Sequence, residues 1–322
     1  MILSVVIPVY NARPYLQRCI GSLMTQLPEN AEIILIDDGS TAGSSETCDD
    51  LAAADNRIRT IHTSNGGAAR ARNRGLETAR GRYLMMIDAD DTIKPDSIGR
   101  LIQRMEADRL DLLTFGIDEH TDRGCRATNL TGKPELIVDG PTYALRYAVE
   151  HSPCCYIIRR IILDGIRFQE GVTMEDYAFC LELYEHCSRI AHLRKPIYNY
   201  MIRSGSVSRA KGYQADSAKM QCWHRILQRL TSLPWSDPYR PAAMRWIAHY
   251  KLEALKQLGH TCLPTSEKLA IRRSLLSVGT PRAGHEALPS LRSAAMRLML
   301  SYAPTSILLW VVCTARRKMF GR

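Results

Sequence analysis

Long apolar runs are scarce in this chain of 322 residues, and so are phenylalanine and tryptophan, four of each. A membrane-spanning helix needs about 20 consecutive apolar residues. The nearest approach is Leu298–Cys313, which Pro304 interrupts and which is too short to span comfortably. The start, Met1-Ile-Leu-Ser-Val-Val-Ile-Pro8, lacks the basic segment of a secretory leader and reads as a first strand. Ten cysteines occur without any C-x-x-C spacing, which argues against zinc ribbons and thioredoxin-like redox motifs. Reduced thiols serving as small core residues in the cytoplasm fit better. Internal repeats and low-complexity tracts are missing. So are helix-turn-helix, zinc and aromatic-basic motifs, and no nucleic-acid partner is expected.

Acidic residues are scarce in one place only. Residues 1–194 hold 22 Lys/Arg against 28 Asp/Glu, net −6, whereas residues 195–322 hold 21 against 5, net +16. That imbalance suits either solvated helix faces or an anionic partner such as a membrane surface. Arg316-Arg317-Lys318, directly after the apolar 298–313 stretch, suits an interfacial helix as well as a packed terminal one.

What the chain does contain is an acidic turn, Asp88-Ala89-Asp90-Asp91, at the end of the apolar run Tyr83–Ile87. Clustered carboxylates repel one another unless a cation or protons compensate. A hard divalent cation carrying phosphate oxygens would satisfy them. Around this turn the first half alternates apolar strands and amphipathic helices. Strands are expected at Leu3–Ile7, Glu32–Ile36, Ile58–His62, Tyr83–Ile87 and Leu110–Phe115, with helices from Pro14, over Ser45–Ala54, Ala68–Ala79 and Asp96–Glu106. This order predicts a largely parallel sheet with helices on both faces. An irregular loop or short hairpin is expected over 119–139. Next come strand Cys154–Ile158, helix Asp176–Glu185 and two short strands, Ile190–Leu193 and Ile197–Ile202. Four helices follow: Gln214–Leu230, Ala242–Leu258, Ser266–Leu276 and Leu291–Tyr302.

Successive strand ends carry Pro8-Val9-Tyr10-Asn11, Asp37-Asp38-Gly39-Ser40, Asn65-Gly66-Gly67 and the acidic turn. Parallel strands bring all four tips to one edge, where open α/β sheets bind ligands. Any one of them alone is an ordinary turn.

Together with Ala71-Arg72-Asn73 and Met174-Glu175-Asp176-Tyr177, these segments resemble family 2 glycosyltransferases of GT-A fold, of the bacterial polysaccharide type. The resemblance covers roughly residues 1–210. It implies a catalytic domain over 1–212, with nucleotide-sugar binding in about 1–116 and the acceptor side in about 117–212. A basic helical region would occupy 213–322, its end at 296–319 able to meet a membrane. Pro8, Val9, Tyr10 and Asn11 would line the base and ribose pocket, Asp38 would contact a uracil, and Gly39 and Gly67 would allow close approach. Arg72 and Asn73 would position nucleotide and donor sugar, with Asp88 and Ala89 near the ribose. Asp90, with Asp91, would hold Mn²⁺ or Mg²⁺ on the diphosphate. Asp176 would be the general base of an inverting hexosyl transfer, and Arg203 would close over the diphosphate. Trp223, Trp235 and Trp246 suit packing better than acceptor platforms. Neither a Gln-x-x-Arg-Trp segment nor a set of spanning helices occurs, which favours transfer of a single sugar. The expected partners are a UDP-sugar-like donor and a glycan acceptor, lipid-linked, at the inner face of the cell membrane. Two alternatives are a nucleotidyltransferase acting on sugar phosphates and a non-catalytic protein binding nucleic acid through the basic tail. The first would want a Gly-rich basic loop after strand one, where Tyr10-Asn-Ala-Arg-Pro14 stands instead.

Overall fold

A computed structural model describes residues 1–121, 124–128, 136–146, 152–171, 175–202, 212–232, 237 and 240–278. Strand β1 (Leu3–Val9) is buried along almost its whole length, as is β2 (Ala31–Asp38), because both lie mid-sheet with helices on their faces. Helix α1 (Arg13–Met24) begins with Pro14, whose fixed φ suits a first turn, and buries Leu16, Cys19, Ile20 and Leu23. Next come α2 (Ser44–Ala54), β3 (Ile58–Thr63), α3 (Ala68–Thr78) and β4 (Tyr83–Met86). A Cβ on Gly75 of α3 would lie 2.1 Å from Val6 Cγ1, so glycine lets this helix sit close on β1.

After the acidic turn come β5 (Thr92–Ile93), α4 (Ile98–Ala107), β6 (Leu112–Thr121) and β7 (Gly124–Thr128). Then follow α5 (Gly140–Arg146), β8 (Tyr156–Arg159), a 3₁₀ turn at Arg160–Leu163, α6 (Asp176–Glu185) and β9 (Ile190–Met201). The nine strands form one sheet in the order β3-β2-β1-β4-β8-β6-β9-β5, with β7 paired to β6 off that path. Pairing is parallel from β3 to β4. It turns antiparallel where β8 inserts between β4 and β6, and is parallel again between β6 and β9. The parallel expectation therefore describes the first half, and the second half is mixed.

Two local differences have physical causes. Helix α4 starts at Ile98 because Asp96 sits at φ +53°, outside helical space. The two strands expected at 190–202 are one: Leu193 pairs with Phe115 and Pro196 with Gly116, so Arg194 and Lys195 bulge out before a proline that has no N–H to donate. The 119–139 stretch supplies the β6–β7 hairpin.

By contacts the chain divides into two compact units, residues 1–209 with 235–243, and 210–234 with 244–322. The second holds α7 (Tyr213–Ser232), α8 (Arg240–His260) from Met244 onward, and α9 (Thr265–Ser277). Trp223 is fully buried there, its Nε1 donating to Gln257 Oε1 at 3.0 Å, so it packs rather than presenting a platform. Among the described residues no helix is long and apolar enough to cross a membrane. The expected helix Leu291–Tyr302, the 296–319 end and Trp235 lie outside the described residues, as does the side chain of Trp246.

Candidate active site

The tips of β1 and β2 are latched to each other before any ligand arrives. Asn11 N–H donates to Ser40 Oγ at 3.1 Å, and its Oδ1 accepts from Thr41 N–H at 2.9 Å. Asn11 takes φ +49°, which asparagine tolerates better than most residues. Tyr10, beside it, is 55% exposed and offers a ring face at the sheet edge. Pro8 is half-buried, but the Val9 side chain is fully buried, so only its backbone can face a ligand.

Asp38 is buried, and both its oxygens are engaged: Oδ1 accepts Gly66 N–H at 2.8 Å and Oδ2 accepts Gly67 N–H at 2.7 Å. Oδ1 also accepts from Thr63 Oγ1 at 3.4 Å, so the second lone-pair direction is left on Oδ2. This carboxylate first of all shapes the β3–α3 loop. Gly39, at φ +69°, has Asn65 N only 2.7 Å from where a Cβ would stand, so the chain itself demands glycine there. Gly67, at φ +87°, faces open space and heads α3. Asp37 is braced by Ser40 N–H at 3.1 Å and by His62 Nδ1 at 2.9 Å. Hydrogen bonds to Asp37 and Asp49 in turn raise the His62 pKa.

The acidic turn divides its carboxylates. Asp88 is partly exposed, and its Oδ1 accepts from Arg72 Nη2 at 3.0 Å. Asp90 is half-buried, and its backbone carbonyl accepts from Arg18 Nη2 of α1 at 2.9 Å. Ala89 is buried between them. Asp91 points inward with 1% exposure, taking Tyr198 O–H at 2.6 Å on Oδ2 and Met201 N–H at 2.8 Å on Oδ1. Burial, then the Asp88 charge, pushes its pKa up to about 7. Both oxygens of Asp91, expected to share the metal with Asp90, tie β9 to the turn. Asp88 and Asp90 are the partly exposed carboxylates. Two such groups fit a Mg²⁺-type ion, which takes one or two carboxylates and completes its shell with phosphate oxygens and water.

Arg72 joins this turn to α6. Its guanidinium is buried, and Nη1 reaches Glu175 Oε1 at 2.6 Å and Asp176 Oδ1 at 3.3 Å while Nη2 holds Asp88. The Phe168 ring lies 5.5 Å beneath it and stacks on Phe179 of α6 at 3.7 Å. Burial works against the Arg72 charge, but Asp176 and Asp88 outweigh it and hold the group firmly protonated. Asp176, a quarter exposed, has its pKa raised to about 7 by burial and by Glu175 and Asp88, against the opposing pull of Arg72. Glu175 makes no capping bond with its side chain; it serves Arg72 instead.

Asn73 is the residue expected to help Arg72 position nucleotide and donor sugar. It lies one residue beyond Arg72 and is buried, its Nδ2 donating to Phe168 O at 2.9 Å and Glu170 Oε1 at 3.0 Å while Oδ1 accepts Phe168 N–H at 2.8 Å. It fixes the residue that floors Arg72. Arg203 lies outside the described residues. Sequence reading missed Arg18, Phe168, Tyr198 and the Met201 N–H. None belongs to a motif, and only pairing across the fold brings them in.

A mixed sheet with acidic residues at its strand ends, flanked by helices, defines a GT-A type protein. Residues 1–349 of S. aureus TarS, solved in complex with UDP-GlcNAc, share the fold, with TM-score 0.67 at 20% identity over 86% of this chain and 80% of that one. The family model for glycosyl transferase family 2 matches residues 4–161. The glycosyltransferase GlyG of Streptococcus pneumoniae serotype 4 is 31% identical over 222 residues, 65% of this chain and 74% of GlyG. An uncharacterized glycosyltransferase of Haemophilus influenzae Rd is 40% identical over 182 residues, 56% of this chain and 71% of that protein. Of two further relatives this chain covers only 63% of their length. The chain belongs to glycosyl transferase family 2 and is a glycosyltransferase.

Proposed function

We propose that the protein transfers one hexose-type sugar, with inversion, from a UDP-sugar to a hydroxyl of a lipid-linked glycan in bacterial surface polysaccharide synthesis. The observation carrying this reading is the Arg72 guanidinium, which ties Asp88 of the acidic turn to Asp176 at the start of α6. One cation thereby sets a donor-side carboxylate and the proposed base at fixed separation. TarS, the neighbour in fold, was solved with UDP-GlcNAc and with UDP, which supports a UDP-linked donor.

In this reading Tyr10 offers its exposed ring to the base, and Pro8, the Val9 backbone, Asn11 and Asp38 frame the base and ribose. Gly39 and Gly67 bring the loop backbones close. Asp88 and Ala89 lie beside the ribose, and Arg203 covers the diphosphate. Asp90, assisted by Asp88, would hold Mn²⁺ or Mg²⁺, which supplies charge stabilisation to the leaving diphosphate. Asp176 takes the proton of the acceptor hydroxyl. That oxygen bonds to the anomeric carbon as the bond to the nucleoside diphosphate breaks, and the diphosphate leaves with the electron pair. A base poised near the working pH suits this role, and Asp176 at about 7 meets it. Arg72 opposes protonation of the base and aims it. Residues 1–212 form the catalytic part. The basic region from 213, ending at 296–319, holds the enzyme against anionic lipid from the cytoplasmic side.

Calorimetric titration with UDP tests the donor side: binding should require Mn²⁺ and vanish in Asp90→Ala, and metal-independent binding would remove that role. Asp176→Ala should keep UDP binding and lose transfer. A chain ending at Ala294 should no longer float with anionic vesicles; undiminished flotation would end the membrane proposal.

A further inference from the structure

The β6–β7 hairpin carries donors that the transfer reaction does not use. Asp118 and His120 are two residues apart on β6 and so share one face. Cys125 of β7 stands directly across from His120 in the antiparallel register. One potential ligand atom from each of Asp118, His120 and Cys125 lies within 4.8 Å of the other two. Cys125 Sγ is 3.8 Å from His120 Nε2. A fourth donor is near: Asn199 Oδ1 of β9 is 3.2 Å from the same His120 nitrogen. Its orientation is fixed, because Asn199 Nδ2 donates to Thr92 Oγ1 at 3.0 Å. Lys94 pairs with Asp118 Oδ2.

We propose that Asp118, His120, Cys125 and Asn199 form a second cation site, distinct from the acidic turn, that takes a borderline-soft dication such as Zn²⁺. Ligands at metal bonds of about 2.0–2.3 Å stand roughly 3.3–3.8 Å apart in a tetrahedron, so the atoms of Asp118, His120 and Cys125 need contract by little more than an ångström. A thiolate and an imidazole select this class of metal over Mg²⁺, whereas the all-oxygen turn at Asp88 and Asp90 does the reverse. On binding, the Cys125 thiol proton passes to solvent and the imidazole keeps its proton on Nδ1, freeing Nε2 for the metal. Lys94 then serves as an outer partner that orients the carboxylate. The ion would staple β7, β6 and β9 together. Through Asn199 it would also brace Thr92, the residue directly after Asp91.

Cobalt(II) is the probe, added to the full-length, reduced, chelator-treated protein in excess Mg²⁺ with no nucleotide present. One equivalent should give a thiolate-to-cobalt charge-transfer band together with intense visible bands of tetrahedral Co²⁺, both lost on adding Zn²⁺. Cys125→Ser should abolish the charge-transfer band. His120→Ala should weaken binding at least about tenfold, and Asp90→Ala should leave the spectrum unchanged. Failure to develop the band at micromolar Co²⁺, or a band that survives in Cys125→Ser, overturns the site. A band lost in Asp90→Ala would assign the ion to the acidic turn and overturn it equally. Because Cys125 is exposed on a hairpin, its serine variant is expected to fold; equal circular dichroism spectra of the two proteins check this.

Discussion

The two halves of the sheet build their share of the site by different means. In the parallel half, β3-β2-β1-β4, the tips are pinned mostly by backbone groups: Gly66 and Gly67 N–H on Asp38, Ser40 N–H on Asp37, Thr41 N–H on Asn11. All of these lie within the first 67 residues. In the mixed half the reactive carboxylates are aimed by side chains from afar, Arg72 reaching Glu175 across 103 positions of sequence. The proposed donor edge is thus a property of local chain geometry, while the proposed base depends on one buried guanidinium. Changes at the strand tips of the parallel half should alter binding, and changes at Asp176 or at the residues that aim it should alter turnover.

The sharpest test of that division is Asp176→Asn, which should lower kcat by about 10²- to 10⁴-fold while leaving UDP affinity within a factor of about three. An equal fall in both would merge the two halves into one function. The pH profile gives the same comparison a sign. Asp176 has its folded pKa raised from 3.8 to about 7, so between those values the folded chain holds a proton that the unfolded chain has released. Its contribution to stability is therefore fully present below the lower value and lost as pH rises toward about 7. Activity runs the other way: kcat/KM should climb through about pH 7 as the base ionises.

Arg72→Met should have the next largest effect. Breaking a buried ion pair from one side costs roughly 3–5 kcal/mol of folding stability. It also removes the charge that holds the Asp176 pKa down, so the acid limb of kcat/KM should move to higher pH. Urea unfolding and a pH–rate series read the two effects separately, and an unmoved limb would refute the coupling. Asn73→Ala leaves buried groups of Phe168 without partners, at roughly 1–3 kcal/mol. If Asn73 acts only by fixing Phe168 under Arg72, kcat falls and donor KM holds; a raised donor KM would return it to the nucleotide.

Much of this was legible in the sequence because its causes are local. Apolar runs followed by Asp, Asn or Gly fixed the order of β1 to β4 and located the tips, and Glu175-Asp176 stood out at a helix start. What stayed hidden depends on distant pairing. Asp90 and Asp91 are chemically identical neighbours, and only the arrival of Tyr198 and the Met201 N–H turns one of them inward. Arg72 and Asn73 are adjacent in one motif, but on α3 they serve different partners, one the carboxylates and the other Phe168. The insertion of β8 between β4 and β6 had no sequence signal, since an isolated four-residue strand does not carry its direction.

The smallest expected effect probes the seam where the halves meet. Tyr198 of β9 gives its O–H to Asp91 Oδ2 at 2.6 Å and also lies 3.2 Å from the Asp88 backbone N–H. Tyr198→Phe keeps the ring and deletes both contacts, so packing loss does not confuse the result. Asp91 retains the Met201 N–H on its other oxygen and can hold a proton more readily than an ordinary carboxylate, which limits the cost of the lost bond to about 1–2 kcal/mol. Urea midpoints measure that cost. If the second half merely supports the turn, Mn²⁺-dependent UDP affinity should weaken by less than about tenfold and kcat per folded molecule should hold. A collapse of UDP binding would mean that the acidic turn is shaped by β9 as much as by β4, and the donor edge could no longer be assigned to the parallel half alone.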